Sequence, residues 1–213
     1  MLTSGLIKIC LPLLTLLQIS GSKNVEWDAV DIVGFVMTHL LCEYSVLARL
    51  SRHVITEERL PESLHEQIIG HHQHMAAYDL MWQCYLATFD IECYVSVKTV
   101  WMDLTRHIFQ LYFPFKMDRD NFNLPCSFTQ IFSEEYPAAY YSQKWAEMVA
   151  ADAWSKFEET GFHLDNPDTI AVGHLFKSTF LGLGGGIHAT EVFRRFRGSD
   201  PSTDAMLKKY KLM

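Results

Sequence analysis

Between Trp27 and about Arg52, apolar side chains recur at intervals of three and four: Val30, Val33, Met37, Leu40, Leu41, Tyr44, Leu47 and Leu50. That spacing gathers them on one face of a helix; a strand would need alternation with a period of two. No convincing alternating run occurs elsewhere in the 213 residues, and no internal repeat is visible. Such a chain must bury helix against helix, so the sequence reads as all-α.

The remaining elements follow from local signals. A charged loop, Thr56-Glu57-Glu58-Arg59, precedes Pro61, which suits a first helical turn because its missing N–H has no partner there. The pattern predicts that helix to about Tyr94, with Leu64, Ile68, Met75, Leu80, Trp82, Leu86 and Phe89 available for the core. Another helix is predicted from Val95 to Phe113, broken before Pro114. Residues from Phe115 to Pro125 read as a loop, and strong helix formers return from Ala138 to Thr160. Asn166-Pro167 is an N-cap and first position for a helix to about Leu181. Gly184-Gly185-Gly186 makes a turn, Ala189 to Arg197 a short helix that Gly198 can cap, and Asp200-Pro201 starts the last helix.

Charge and cysteine usage narrow the function classes. A formal net charge of -7, with scattered Lys and Arg, argues against a nucleic-acid partner, since phosphate binding needs clustered cations. The run Arg194-Arg195-Phe196-Arg197 reads as the solvated face of a helix. Five dispersed cysteines without a CxxC pair (Cys10, Cys42, Cys84, Cys93, Cys126) read as reduced, buried thiols. The expected compartment is therefore intracellular, cytosolic or mitochondrial/organellar. Residues 1–22 form an apolar leader in which Lys8 precedes an uncharged stretch and Ser20-Gly21-Ser22 offers a small-x-small site. That is the outline of a secretory signal, too short to span a bilayer comfortably, although Pro12 interrupts its core. No stable membrane span is expected.

Several residues could carry chemistry. VEWDAVDIVGF, residues 25–35, places three acids just before an apolar run. Asp31 there can be a metal ligand, a catalytic carboxylate or a polar residue near a helix start. The glycines 184–186 are no phosphate cradle, because neither GxGxxG nor GxxxxGKS surrounds them. His71, His72 and His74 suggest a metal, but neighbours on a helix point about 100° apart and cannot converge on one ion. His65 and His72 share a face without an acidic or thiolate partner at good spacing. Tyr136, Tyr140 and Tyr141 stand at a loop–helix junction, where hydroxyls could hold an oxyanion or lie at the edge of a core.

Taken in order, several segments resemble the thimet oligopeptidase family of zinc metallopeptidases, most closely its oligopeptidase A branch. They are Val25-Glu26-Trp27-Asp28-Ala29-Val30, Leu60-Pro61-Glu62-Ser63-Leu64, Ala87-Thr88-Phe89-Asp90 and Cys126-Ser127-Phe128-Thr129-Gln130-Ile131-Phe132. Tyr136-Pro137-Ala138-Ala139-Tyr140-Tyr141-Ser142, Lys144-Trp145-Ala146-Glu147 and Ala150-Ala151-Asp152-Ala153 continue the match. Leu183-Gly184-Gly185-Gly186 and Phe196-Arg197-Gly198-Ser199-Asp200-Pro201-Ser202 close it. The resemblance covers residues 23–213 and implies the C-terminal helical part of a zincin-like oligopeptidase catalytic domain. In that family a zinc-bound water attacks a short peptide's carbonyl, and the glutamate of an HExxH helix takes its proton.

The departures bear on activity. No His-Glu pair is followed two residues later by His; His65-Glu66 continues as Gln67-Ile68-Ile69. By the resemblance, Asp31 holds the place of the family's third zinc ligand, a glutamate, one methylene shorter. One carboxylate without two imidazoles and the base glutamate cannot hold catalytic zinc. The family's cofactor is thus not expected on this chain. Gln130 replaces the family's histidine in the substrate loop, and Ser133-Glu134-Glu135 replaces a small residue and two glycines that give that loop freedom. Tyr136 and Tyr140 match family tyrosines, while Gln143 stands where a transition-state tyrosine is expected. Losing a well-placed donor costs roughly a hundredfold in rate. Met1-Leu2-Thr3 resembles the tail of the zinc helix, so a truncated form with an inserted leader is expected. It would be unable to cleave peptides alone, as a C-terminal portion descended from an oligopeptidase; the alternatives are a non-catalytic peptide- or partner-binding protein and a fragment of a longer, intact enzyme. An uncovered apolar face at Val33, Met37 and Leu41 would favour association.

Overall fold

A computed structural model describes residues 23–96, 100–115, 124–132 and 136–213. The leader, residues 1–22, and Ser133-Glu134-Glu135 lie outside the described residues, as does Cys10. Among the described residues every regular element is helical, as expected from the periodicity. The chain divides into two compact units, one of residues 1–74 with 145–213 and one of residues 75–144.

In the first unit, α1 (Ile32–Cys42) and α2 (Tyr44–Leu50) replace the single helix expected from Trp27 to Arg52. Glu43 between them is extended, and the two axes bend by 82°. The apolar period continues across the break because both pieces need a core face; periodicity alone does not register one extended residue. Residues before Ile32 form turns, with Asp31 at the N-cap position. The expected uncovered face also changes. Val33 is only 2% exposed and belongs to the core, Met37 is half-buried, and only Leu41 stands open.

The helix expected from Pro61 to Tyr94 is likewise two: α3 (Glu62–Gln73) and α4 (Ala76–Val95), the latter in the second unit. Met75 adopts the left-handed region, φ 59°, and stops the first of them. α3 buries none of its residues, so Leu64, Ile68 and the neighbouring Met75 are exposed rather than core. His65 ties the helix down by donating from Nε2 to the Cys42 carbonyl, 2.7 Å.

The second unit packs α4 against α5 (Trp101–Tyr112). Tyr85, Leu86 and Phe89 meet Leu104, Ile108, Phe109 and Phe113, and the cluster extends to Phe128, Ile131 and Tyr140. Tyr85 is fully buried edge-on to Phe109, and burial pushes its phenol well up. Two single-turn helices, α6 (Leu124–Ser127) and α7 (Thr129–Phe132), occur where loop was expected.

α8 (Tyr141–Glu158) carries the chain back into the first unit. It starts three residues later than expected because Ala138 is left-handed, φ 56°. Ala146, Ala150, Ala151 and Ala153 are buried along it, and small side chains let neighbouring backbones approach. Asn166 caps α9 (Pro167–Phe176) as expected, accepting from the Asp168 N–H at 3.0 Å. A single π turn, Lys177–Leu181, follows it and leads to the 3-10 turn Gly184–Gly186. α10 (Ala189–Arg197) ends at Gly198, φ 88°, the left-handed terminator expected there. The last helix, α11 (Asp204–Lys209), begins four residues after Asp200, whose carboxylate accepts from Arg194 Nε at 2.6 Å, while Ser202 Oγ accepts from the Asp204 N–H at 3.1 Å.

Candidate functional site

Each matched motif has a physical partner. In the first unit the VEWDAV segment lies against the glycine turn: Asn24 Nδ2 donates to the Gly185 carbonyl at 2.9 Å, and Glu26 Oε1 accepts from the Ala189 N–H at 3.3 Å. A Cβ at Gly185 would stand 2.2 Å from the Lys23 carbonyl oxygen, so only glycine fits. The Ala150–Ala153 and Phe196–Ser202 segments also meet. Buried Asp152 accepts from Arg197 Nε at 3.1 Å and from the Ser202 N–H at 2.7 Å. Arg197 reaches Glu159 as well, at 2.5 and 3.0 Å, and these bonds hold its guanidinium firmly protonated.

Asp31 sits at the start of α1, half-buried, with its carbonyl accepting from the Phe35 N–H at 3.0 Å and its side chain capping nothing. Among the described residues no group of three His, Cys, Asp or Glu side chains could hold a metal ion. His71 and His72 are exposed, their ring centroids 6.3 Å apart.

The second unit gathers the tyrosine segment. Gln130, exposed on α7, accepts at its carbonyl from the Tyr136 N–H, 3.3 Å. Tyr136 is half-buried and Gln143 half-buried in the first turn of α8. Tyr140 is 7% exposed, its ring edge-on to Phe128 at 4.8 Å, and its hydroxyl donates to Gln83 Oε1 at 2.9 Å. Burial pushes its phenol up, against the bond to Gln83.

Two features escaped sequence reasoning. Asp90, fully buried on α4, accepts from the Ala138 N–H at 2.8 Å and the Tyr140 N–H at 3.0 Å. Its position was legible: Asp90 follows Leu86 by four and Phe89 by one on the buried face, and an acid there requires donors. His39, 5% exposed on α1, stacks on Trp154 and takes a bond at Nδ1 from the Lys209 ammonium at 3.0 Å. Burial, then the Lys209 charge, draws its imidazole down to about 3. It borders a cavity of about 240 Å³ with Phe35, Ile69, Glu147 and Tyr210.

The thiols differ from expectation in burial. Cys42, Cys84 and Cys93 are half-buried and Cys126 is exposed. All four are free. Burial, then the Asp90 carboxylate, pushes Cys93 up to about 11, and burial also raises Cys84, so neither is a thiolate at neutral pH.

Comparison with known proteins places this geometry. The sequence profile of Peptidase family M3 matches residues 15–212. The chain belongs to peptidase family M3. This is the thimet oligopeptidase family that the motifs resemble. A protein named "Probable cytosolic oligopeptidase A" of Arabidopsis thaliana is 33% identical over 208 residues, covering 89% of this chain and 27% of that protein. "Organellar oligopeptidase A, chloroplastic/mitochondrial" of the same plant is also 33% identical over 208 residues, covering 89% of the chain and 24% of its own length. Oligopeptidase A of Escherichia coli (strain K12) is 32% identical over 198 residues, covering 90% and 28%. This M3 chain thus spans about a quarter of the length of these relatives. No single helix among its described residues is long and apolar enough to cross a membrane.

Proposed function

We propose that this chain is an M3 oligopeptidase portion that engages short peptides but does not hydrolyse them by itself. The carrying observation is chemical. The family match brings the third-ligand segment, yet these residues contain no HExxH, and Asp31 has no companion donors in its described surroundings. Without two imidazoles and a base glutamate, a hydrolytic water has no cation to lower its pKa and no group to take its proton.

The same segment favours peptide holding. Tyr136, Gln143 and Gln130 supply hydroxyl and amide groups of the kind that bind peptide carbonyls and N–H groups, beside a turn that is already folded around Tyr140. Short peptides are the partners this chemistry suits. The relatives' names place them in cytosol or organelles, so we assign this chain an intracellular setting.

A quenched fluorescent peptide, incubated with the purified chain in zinc-containing buffer, tests the reading. The expected result is binding by anisotropy with no increase in fluorescence. Turnover that a chelator abolishes contradicts it.

A further inference from the structure

Asp90 performs no step in the function above, yet both of its carboxylate oxygens are paired. It is fully buried, and its two oxygens each accept a backbone N–H, from Ala138 at 2.8 Å and from Tyr140 at 3.0 Å. Seven residues earlier, two turns along the same face of α4, Gln83 accepts the Tyr140 hydroxyl at 2.9 Å. One rigid helix therefore grips the segment at two backbone points and one side-chain point. Phe128, edge-on to the Tyr140 ring, adds a fourth contact.

A structural cap for α8 would be the simpler assignment. A capping acid bonds the N–H of the second or third residue inside its helix. Here both donors precede Tyr141, the first residue of α8. What Asp90 holds is the turn itself, including Ala138 at φ 56°, a conformation an alanine keeps only when its surroundings impose it.

We infer that Asp90, assisted by Gln83, is a positioning residue that fixes the Tyr136–Tyr140 turn in one conformation, so that a peptide meets a preformed wall. The inference rests on the peptide-binding reading above for its purpose, but not for its geometry. Tyr140 is then the anchor of the turn, its hydroxyl committed to Gln83. A preformed turn spares a ligand the entropy of ordering it, which is the usual source of affinity in such sites.

Residue-resolved amide hydrogen exchange on the full chain tests this, with Asp90→Asn and Gln83→Met beside the unaltered protein. The pentapeptide Ala-Ala-Phe-Ala-Ala, fluorescein-labelled, serves as probe in parallel. An asparagine amide nitrogen cannot accept, so Asp90→Asn must lose one of the two bonds. Exchange at Ala138 and Tyr140 should rise about tenfold or more while the rest of α4 and α8 keeps its protection, with peptide affinity falling about tenfold. Gln83→Met, which leaves the carboxylate intact, should loosen Tyr140 by a smaller factor and keeps the test decisive if Asp90→Asn does not fold. Unchanged exchange at Ala138 and Tyr140, or an equal rise throughout the unit in both variants, overturns the inference. If the unaltered chain binds no peptide, the functional reading falls, while exchange at the turn still decides whether Asp90 holds it.

Discussion

Asp90 closes one of the segments that mark the family and Asp31 directly follows another, and the two regions treat them in opposite ways. Asp90, on the core face of α4, is removed from water and repaid with two backbone N–H donors. Asp31, at the mouth of α1, stays half-buried and caps nothing. A carboxylate becomes structural where the fold supplies donors, and it becomes a metal ligand only where further ligands converge. The first condition is met at Asp90; among the described residues no such convergence surrounds Asp31.

The sharpest way to test this contrast is truncation of both acids. Asp90→Ala removes two hydrogen bonds to a charged group, from the buried Tyr140 N–H and the part-buried Ala138 N–H, each worth about 1.5–3 kcal/mol, so a loss of about 3 kcal/mol or more is expected in denaturant unfolding. A loss under about 1 kcal/mol would mean that water replaces the carboxylate, and the distinction between the regions would fail. Next in size is Gly185→Ala, which probes what supports the approach to Asp31. Its Cβ would meet the Lys23 carbonyl oxygen at 2.2 Å, and backbone must move. About 2–3 kcal/mol of destabilisation is expected from overpacking, read as a lowered Tm.

His39 adds a third case, a buried ring whose Nδ1 accepts from a side-chain cation rather than from backbone N–H groups. Its imidazole is drawn from 6.5 to about 3, so the folded state keeps it neutral while the unfolded chain protonates it below pH 6.5. Its contribution is complete above pH 6.5 and is lost progressively as pH falls towards 3. About 2 kcal/mol should be gone by pH 5. His39→Gln should flatten that part of the stability profile; an unaltered slope would assign it elsewhere. Asp31→Ala should give the smallest effect, within about 0.5 kcal/mol, as befits a partly solvated side chain without a capping bond.

The helical class, the Asn166 cap and the Gly198 terminator were all legible, because each is a local signal: a period, an accepting side chain, a residue free to take positive φ. The breaks at Glu43 and Met75 were not. Neither residue is a helix breaker, and Met75 holds a left-handed conformation that its own chemistry disfavours, so no local signal in residue identity marks either break. Exposure of α3 was hidden for a related reason: Leu64 and Ile68 carry the spacing of a core face, but spacing states which side of a helix is apolar and not whether anything covers it. At the candidate site the residues Gln130, Tyr136, Tyr140 and Gln143 were named from the motif, whereas the burial of Tyr140 and its bond to Gln83 depend on a contact 57 positions away. Asp90 could have been singled out as an acid on an apolar face, but its partners could not, since backbone donors leave no trace in residue identity.

The account turns on whether the Asp31 region can retain a catalytic cation. Zinc content per chain, measured by mass spectrometry after dialysis against trace-metal-free buffer, decides it for the unaltered protein and Asp31→Ala together. The account requires far less than one zinc per chain in both. One tightly held zinc in the unaltered protein that disappears in Asp31→Ala would contradict it.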